Sequence, residues 1–360
     1  MKLIIPAAAC LGLLCVPAHA SSPGAAHGAT KHHKKTHGHA AKGEARHYET
    51  RPEVLAFVDD MVQRNDFSKQ DLLNWFAQAR YQPAVIQAIL PPANPRVRSW
   101  QTYRARFVEP KRINAGLRFW SAHEDSLRRA EKQYGVPAEI IVAIIGVETI
   151  YGRNTGNFET FSALATLAFD YPPRAELFRR ELEALLLLAR DEKRSPLSYQ
   201  GSFAGALGLP QFLPSSLRNW AVDFNGDHTV DLTQPDDAIG SVGRFLAEHG
   251  WESGAPILAP VLATPSDNGD IADLLVTGLT PQWLPADLRQ RGIVLGAVAE
   301  QPAALIDLIT PDQATEYRLG YRNFYVLTRY NRSSFYATAV ADLAAALRDA
   351  ASPTSQSSTQ

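Results

Sequence analysis

A single glutamate closes an otherwise apolar stretch of the chain. Glu148 directly follows Ile140–Val147, in which no side chain is polar. Pro137 can open a helix here and Gly152 can end it, so Glu148 is expected near the helix C-terminus. The helix dipole and the apolar neighbours both disfavour an ionised carboxylate at that place. A carboxyl group held protonated near neutral pH suits general acid catalysis, whereas the structural alternative is a helix-end glutamate paired with Arg153.

Polar and aromatic side chains suited to a sugar occur in three further segments. Residues 201–216 hold three glycines and two prolines around Ser202 and Gln211, a composition typical of backbone that approaches a ligand closely. Residues 325–336 combine tyrosine, arginine and asparagine, and a third aromatic segment spans residues 100–110. Rings can cover sugar faces, and amides can bond hydroxyl groups. The alternatives are an ordinary tight turn in the first segment and a half-buried edge strand in the second.

A loop that begins at Asp223 resembles the start of an EF-hand calcium loop. The oxygen donors at positions 1, 3, 5 and 7 of such a loop would be Asp223, Asn225, Asp227 and Thr229. His228 stands where the pattern has glycine, and Gln234 stands where it has glutamate. Two interpretations stay open: a structural calcium ion that stabilises the fold, or an Asx-turn loop without metal.

Composition and the first residues bear on where the protein works. The chain has 36 basic and 37 acidic residues in 360, a balance that gives no bulk argument for nucleic acid as a partner. Residues 1–20 predict a cleaved signal peptide that ends in the A-x-A site Ala18–Ala20. Both cysteines lie in it, and the residues before Cys15 lack the small side chains usual for a lipid anchor. We expect a periplasmic protein without a transmembrane segment after signal removal.

The rest of the pattern predicts an α+β protein that is mainly α. Helical periodicity dominates up to Trp251, and a proline cluster at 91–95 marks a first boundary. Four short bounded segments are strand-like: residues 256–262, 292–298, 316–320 and 323–328. The expected organisation is a signal peptide (1–20), a disordered leader (21–49), an N-terminal helical subdomain (50–99), a catalytic core (100–252), a small β-rich subdomain (253–322), a return to the core (323–349) and a disordered tail (350–360).

Several motifs in one order resemble the B-type lytic murein transglycosylases, bacterial envelope enzymes that cleave peptidoglycan. The resemblance covers about Val54 to Leu347 and implies a lysozyme-like helical core. The matching segments are residues 144–152, 163–172, 201–216, 222–227, 237–242 and 328–331.

The resemblance also implies roles for individual residues. The family's catalytic glutamate falls on Glu148, and its active-site serine and glutamine fall on Ser202 and Gln211. Its substrate-groove residues fall on Tyr103, Arg174, Tyr330, Asn331 and Tyr336, with the rings of Tyr330 and Tyr336 expected against sugar faces. The last ligand of a longer calcium loop falls on Asp237. Two positions depart from the family pattern, Pro173 in place of an arginine and Phe245 in place of a tyrosine, and both bear on subsite preference.

One carboxyl group in a catalytic setting suggests a substrate that supplies its own nucleophile, because glycoside hydrolases normally use two. The family reaction would cleave the β-1,4 bond between N-acetylmuramic acid and N-acetylglucosamine, with Glu148 as acid and then base. It would leave 1,6-anhydromuramic acid ends and need no cofactor. Two alternatives stay open, a muramidase that uses water and a non-catalytic peptidoglycan-binding protein. The sequence identifies no partner among the cell-wall synthesis proteins.

Overall fold

The computed structural model describes residues 47–90, 98–265 and 268–352. The predicted signal peptide, almost all of the predicted leader and tail, and the proline cluster at 91–95 lie outside the described residues. Within those residues, no helix is both long enough and apolar enough to cross a membrane. Contacts along the chain separate two compact units between Tyr81 and Gln82.

The first unit is a helical hairpin preceded by the 3-10 turn Tyr48–Thr50. Its helices are α1, Pro52–Asn65, and α2, Lys69–Gln78. Proline opens α1, and the Ser68 hydroxyl caps α2 by accepting a hydrogen bond from the Asp71 N–H at 3.3 Å. One face of α1 is apolar and buried, and its residues are Val54, Phe57, Val58 and Met61.

The second unit contains all the predicted site residues. Its helices are α3 (Pro83–Ile89), α4 (Trp100–Phe107), α5 (Pro110–Ala122), α6 (Glu124–Tyr134), α7 (Ala138–Thr149), α8 (Thr160–Asp170), α9 (Ala175–Asp191), α10 (Pro214–Trp220), α11 (Pro235–Glu248), α12 (Asn268–Leu275), α13 (Pro285–Gln290), α14 (Arg322–Tyr330) and α15 (Ser334–Ala351). Its strands are β1 (Phe158–Glu159), β2 (Gln200–Gly201), β3 (Leu258–Ala263), β4 (Val294–Leu295), β5 (Ala304–Leu308) and β6 (Glu316–Gly320).

Helix α7 lies at the centre of this unit. Its residues from Ile140 to Val147 are all buried, which explains why they form an apolar run rather than a one-sided stripe. Helices α5, α6, α11 and α15 pack around it. The core therefore holds the C-terminal end of α7 in a fixed position, and Glu148 lies at that end.

The predicted β-rich region contains one antiparallel sheet with the strand order β4-β3-β6-β5. The predicted strands at 256–262 and 316–320 correspond to β3 and β6, whereas the one at 292–298 shrinks to β4. A separate cluster of buried side chains, among them Leu274, Leu288 and Leu305, packs beneath the sheet.

The strand predicted at 323–328 is wrong, because these residues belong to helix α14. The Asn323 side chain donates to the Glu252 and Ala255 carbonyls and accepts from the Glu252 N–H. Phe324 and Leu327 stand three residues apart and are both fully buried. Helical packing and this anchor therefore override the β propensity of an aromatic and β-branched segment. Helix α15 likewise runs to Ala351, into the predicted tail.

Candidate active site

Glu148 is half-buried at the end of α7, where the chain turns sharply. Ile150 and Tyr151 both adopt left-handed backbone conformations, with φ of 53° and 57°. The buried Thr149 hydroxyl accepts from the Gly152 N–H at 3.0 Å and donates to the Leu209 carbonyl at 2.9 Å. The turn is therefore attached to the loop that contains Gln211. Among the described residues, no ion pair joins Glu148 to Arg153, so the structural alternative does not apply.

The Tyr336 phenol is the hydrogen-bond partner of Glu148. Its O–H donates to Glu148 Oε1 at 2.6 Å, and its side chain is only 2% exposed. Burial raises the pKa of Glu148 to about 7, and the Tyr336 hydrogen bond opposes that rise by stabilising the carboxylate. The Tyr336 ring is buried where α15 packs against α7, and the expected contact of this ring with a sugar stays a prediction.

Tyr330 lies next to Tyr336 and has a different partner. The two rings are nearly parallel, 13° apart, with centroids 6.4 Å apart. The Tyr330 O–H donates to the Pro210 carbonyl at 2.6 Å. Burial, and then the nearby Glu148 charge, raise the pKa of Tyr330 well above its usual value, so both phenols are neutral donors. Tyr330 thus ties α14 to the loop that precedes α10.

Gln211 is held in a strained position within this loop. Its φ is 52°, and its side-chain amide donates to the Gly208 carbonyl at 2.9 Å and the Thr155 carbonyl at 3.1 Å. The Ser202 hydroxyl is used locally, since it accepts the Ala206 N–H at 3.1 Å and closes its own turn. The glycine-rich segment therefore builds a rigid wall, with Gln211 on the side of Glu148.

A cavity of about 260 Å³ opens above Glu148. Four predicted residues lie in its wall or floor: Glu148, Gln211, Tyr330 and Asn331. Tyr336 lies beneath, and Tyr103 lies within electrostatic range of the Tyr336 phenol, in a ring cluster with Phe335. Among the described residues, Ser202 and Arg174 are not part of this lining. Arg174 is the last residue of the 3-10 turn Pro172–Arg174 and directly precedes α9.

Sequence reasoning did not assign a role to six further residues of the cavity wall. They are Phe212, Leu213, Ser216, Trp220, His249 and Arg329, and Phe245, which the family resemblance had placed in the groove, lies beside them in the lining. His249 stacks on Phe245 at 4.0 Å between ring centroids and lies 4.7 Å from the Trp220 ring. The i,i+4 spacing of Phe245 and His249 could have signalled a shared helix face, but only folding brings Trp220 and Arg329 to it.

The predicted calcium loop has an EF-hand-like turn. The Asp223 carboxylate accepts the N–H groups of Gly226, Asp227 and His228 at 2.7, 3.2 and 2.8 Å. His228 adopts φ of 69°, the sharp turn for which an EF-hand uses glycine. The Asn225 amide bonds Asp227.

Asp237 fastens the far end of the same loop. It is fully buried and accepts the N–H groups of Phe224, Asn225 and Asp231. Within the described residues, no three His, Cys, Asp or Glu side chains converge as a ligand set. The backbone and the oxygen donors suit a hard cation, while the carboxylates are engaged by main-chain N–H groups.

Comparisons with known proteins agree on one family. The sequence model of the family described as the transglycosylase SLT domain matches residues 49–345. The membrane-bound lytic murein transglycosylase B of Escherichia coli (strain K12) is 42% identical over 314 residues, 82% of this chain and 82% of that protein. The soluble lytic transglycosylase SltB1 from Pseudomonas aeruginosa shares the fold with a TM-score of 0.76 and 44% identity, over 83% of this chain and 99% of that one. The Escherichia coli lytic transglycosylase Slt35 in complex with calcium has a TM-score of 0.73 and 39% identity, over 84% of this chain and 94% of that one. The matched range includes every residue of the cavity wall.

Proposed function

This chain belongs to the transglycosylase SLT domain family, and we propose that Glu148 is the catalytic acid and base of its lytic murein transglycosylase reaction. The fold class predicted from the sequence, a mainly helical, lysozyme-like α+β protein, is confirmed by the solved relatives. The enzyme is a peptidoglycan-cleaving lyase, as its relatives are. What remains to be assigned is how its own residues perform the reaction.

The proposed first step is protonation of the leaving sugar. Glu148 donates its proton to the glycosidic oxygen as the bond between C1 of N-acetylmuramic acid and O4 of N-acetylglucosamine breaks. The acetamido oxygen of the muramoyl residue stabilises the positive charge that develops at C1. A pKa of about 7 supports this role, because much of Glu148 is protonated near neutral pH.

The second step uses Glu148 as a base. Its carboxylate takes the proton of the muramoyl C6 hydroxyl, and that oxygen forms a bond to C1. The product is a 1,6-anhydromuramic acid end, and no water is consumed. The Tyr336 hydrogen bond at 2.6 Å supports the ionised state that exists between the two steps.

The remaining predicted residues receive binding roles in this proposal. Asn331 orients the acetamido group and the acid, and Gln211 and Tyr330 shape the wall against which the sugar packs. Ser202 supports that wall by closing the turn behind it, where its hydroxyl accepts the Ala206 N–H. Tyr103 and Arg174 contact more distant parts of the glycan strand. Asn331→Ala should therefore lower kcat, since the groups it orients are those at the reacting centre.

The single observation that carries the proposal is the desolvated Glu148 carboxyl with one phenolic donor at the floor of the cavity. Purified murein sacculi digested by the wild-type protein should give muropeptides that lack one water relative to reducing ends, measured by mass spectrometry. Glu148→Gln should keep the fold and glycan binding and lose more than about a thousandfold in turnover. Reducing ends from the wild type would identify a muramidase, and glycan binding without cleavage would identify a binding protein.

We further propose a structural calcium ion in the loop that runs from Asp223 to Asp237. The loop's oxygen donors and turn support it, as does the relative solved with calcium. The ligands would be Asp223, Asn225, Asp227, Thr229 and Asp237. Calcium should raise the melting temperature, since a ligand at a hundredfold excess over its Kd stabilises the native state by about 2.7 kcal/mol. Asp223→Ala should remove that gain while Asp236→Asn keeps it, and a melting curve indifferent to chelator rejects the site.

We also propose export to the periplasm through the signal peptide predicted at residues 1–20, without a lipid anchor. Peptidoglycan lies in that compartment, which supports the assignment. Cell fractionation with mass analysis of the mature N-terminus tests it. Cleavage after Ala20 supports it, and a lipid-modified Cys15 contradicts it.

A further inference from the structure

The cavity contains one side chain with a permanent positive charge. Arg329 is exposed and lines the cavity, one residue before Tyr330. No carboxylate of the described residues forms an ion pair with it. The only acidic side chain of the lining is Glu148, which is assigned to the chemistry. Arg329 therefore offers an uncompensated cation to whatever enters the cavity.

His249 lies beside Arg329 and is a neutral acceptor. Its Nδ1 lies 2.6 Å from the Phe245 carbonyl, which can only accept, so Nδ1 carries the proton and donates it. Burial, with a smaller contribution from the Arg329 charge, lowers the pKa of His249 and keeps the ring uncharged. Its Nε2 is then left as an acceptor for an N–H or O–H group. The Trp220 ring, at 4.7 Å, holds the imidazole in place.

We propose that Arg329 and His249 bind the acidic branch of the muramoyl residue, Arg329 through a carboxylate and His249 through a neighbouring N–H or O–H group. This deepens the proposed function and rests on it. Of the two sugars of peptidoglycan, only the muramoyl residue carries an acidic branch, a lactyl ether that ends in a carboxylate or continues into a peptide. A guanidinium pairs with a carboxylate through two parallel N–H donors, which no other lining residue can do.

The geometry predicts an effect on affinity rather than on the chemical step. The branch stays bound while the glycosidic bond breaks, so Arg329 stabilises the ground state and the transition state alike. Hydrogen bonds to charged groups are strong enough that Arg329→Gln should raise KM about tenfold or more and leave kcat nearly unchanged. Arg329→Lys should recover part of the affinity, because it keeps the charge and loses the paired geometry.

The test compares three substrates of equal glycan length. One carries intact stem peptides, one has them removed by an amidase and ends in lactyl carboxylates, and one has all its carboxylates converted to amides. Steady-state KM and kcat are measured for the wild type, Arg329→Gln and Arg329→Lys. Arg128→Gln is the matched control, because Arg128 forms an exposed ion pair with Glu124 on α6. Melting temperatures verify that every variant is folded.

The expected result is a higher KM for Arg329→Gln on the substrates with carboxylates and no change on the amidated one. An effect only on the substrate without peptides assigns the lactyl carboxylate, and an effect only on the first assigns a carboxylate of the peptide. An effect on both means that Arg329 pairs with whichever carboxylate the branch presents. An equal KM for wild type and Arg329→Gln, or a rise of equal size on all three substrates, overturns the inference. Calorimetry measures the affinity of Glu148→Gln for the substrates, with and without Arg329→Gln, in the absence of turnover. A failure of the proposed reaction can therefore be distinguished from a failure of the Arg329 inference.

Discussion

Two carboxylates of this protein, the fully buried Asp237 and the half-buried Glu148, have opposite hydrogen-bond environments. Asp237 accepts three main-chain N–H groups, from Phe224 at 2.7 Å, Asn225 at 3.2 Å and Asp231 at 2.8 Å. Glu148, within the described residues, has one hydrogen bond, from the Tyr336 phenol. A carboxylate that is rich in donors fixes a loop, whereas one that is poor in donors is free to exchange its proton.

The neighbourhood of each carboxylate explains the difference. Asp237 lies in the first turn of α11, where the loop before the helix folds back over it and presents its N–H groups. Glu148 lies at the other kind of helix end, the C-terminus of α7, which presents carbonyl groups. For these two acids, the end of the helix at which the side chain lies therefore decides whether N–H donors compensate its burial.

The largest expected effect on stability comes from removing the carboxylate of Asp237. Asp237→Ala leaves three N–H groups without their acceptor, and an unsatisfied buried donor costs about 1–3 kcal/mol. We expect a loss of about 3 kcal/mol or more in the free energy of unfolding, measured by denaturant titration in calcium-free buffer. Asp236→Asn, on the same helix turn, is the control. A loss below about 1 kcal/mol would mean that the Asp237 bonds are dispensable for the loop.

Glu148→Gln should change stability in the opposite direction and make the folded protein more stable. The pKa of the wild-type Glu148 carboxyl rises from 4.5 in the unfolded chain to about 7 in the folded protein. Below pH 4.5 the carboxyl is protonated in both states, and above pH 7 the folded protein must hold a desolvated carboxylate. The wild type therefore loses stability as the pH rises through this window, by at most about 3 kcal/mol.

The glutamine variant has no such cost, so it should be more stable than the wild type at pH 8 and equal to it near pH 4. Chemical denaturation at both pH values measures this difference. If the variant is less stable than the wild type at pH 8, the carboxylate is well satisfied and the contrast with Asp237 does not hold.

The sequence predicted the position and apolar setting of Glu148 better than the contacts that surround it. The apolar run before Glu148 and the turn after it are local signals, and they identified a carboxyl group with few partners. The segments that contain Gln211, Tyr330 and Asn331 were also recognised from their composition, and the family resemblance gave these residues their individual roles. The structure places all three around the same cavity.

Long-range contacts were beyond local patterns. Tyr336 lies 188 residues from Glu148 in the chain, so its hydrogen bond depends on how α15 packs against α7. His249 directly follows α11 and Arg329 lies in α14, most of which was predicted as a strand. The elements of the fold were thus more predictable than the part of the cavity lining that Trp220, His249 and Arg329 form, because these residues meet only after packing.

The smallest expected effect tests whether the one donor of Glu148 matters. Tyr336→Phe removes the hydrogen bond that favours the carboxylate, so the pKa of Glu148 should rise further above 7. The wild-type rate should fall as the pH rises through about 7, because the acid becomes ionised. In the variant this alkaline limb should move to higher pH. A carboxyl group that holds its proton more tightly is also a weaker acid, so kcat at pH 6 should fall about tenfold.

Tyr330→Phe is the matched control for that experiment. It removes a phenol from the neighbouring ring, but this phenol donates to the Pro210 carbonyl rather than to Glu148. The other groups that face the site, Arg329 and His249, are the same in both variants. Tyr330→Phe should therefore leave the alkaline limb in place, whatever it does to affinity. If both variants shift the limb equally, the pKa of Glu148 responds to the polarity of the aromatic pair. A single hydrogen bond would then not be what separates Glu148 from the structural carboxylates.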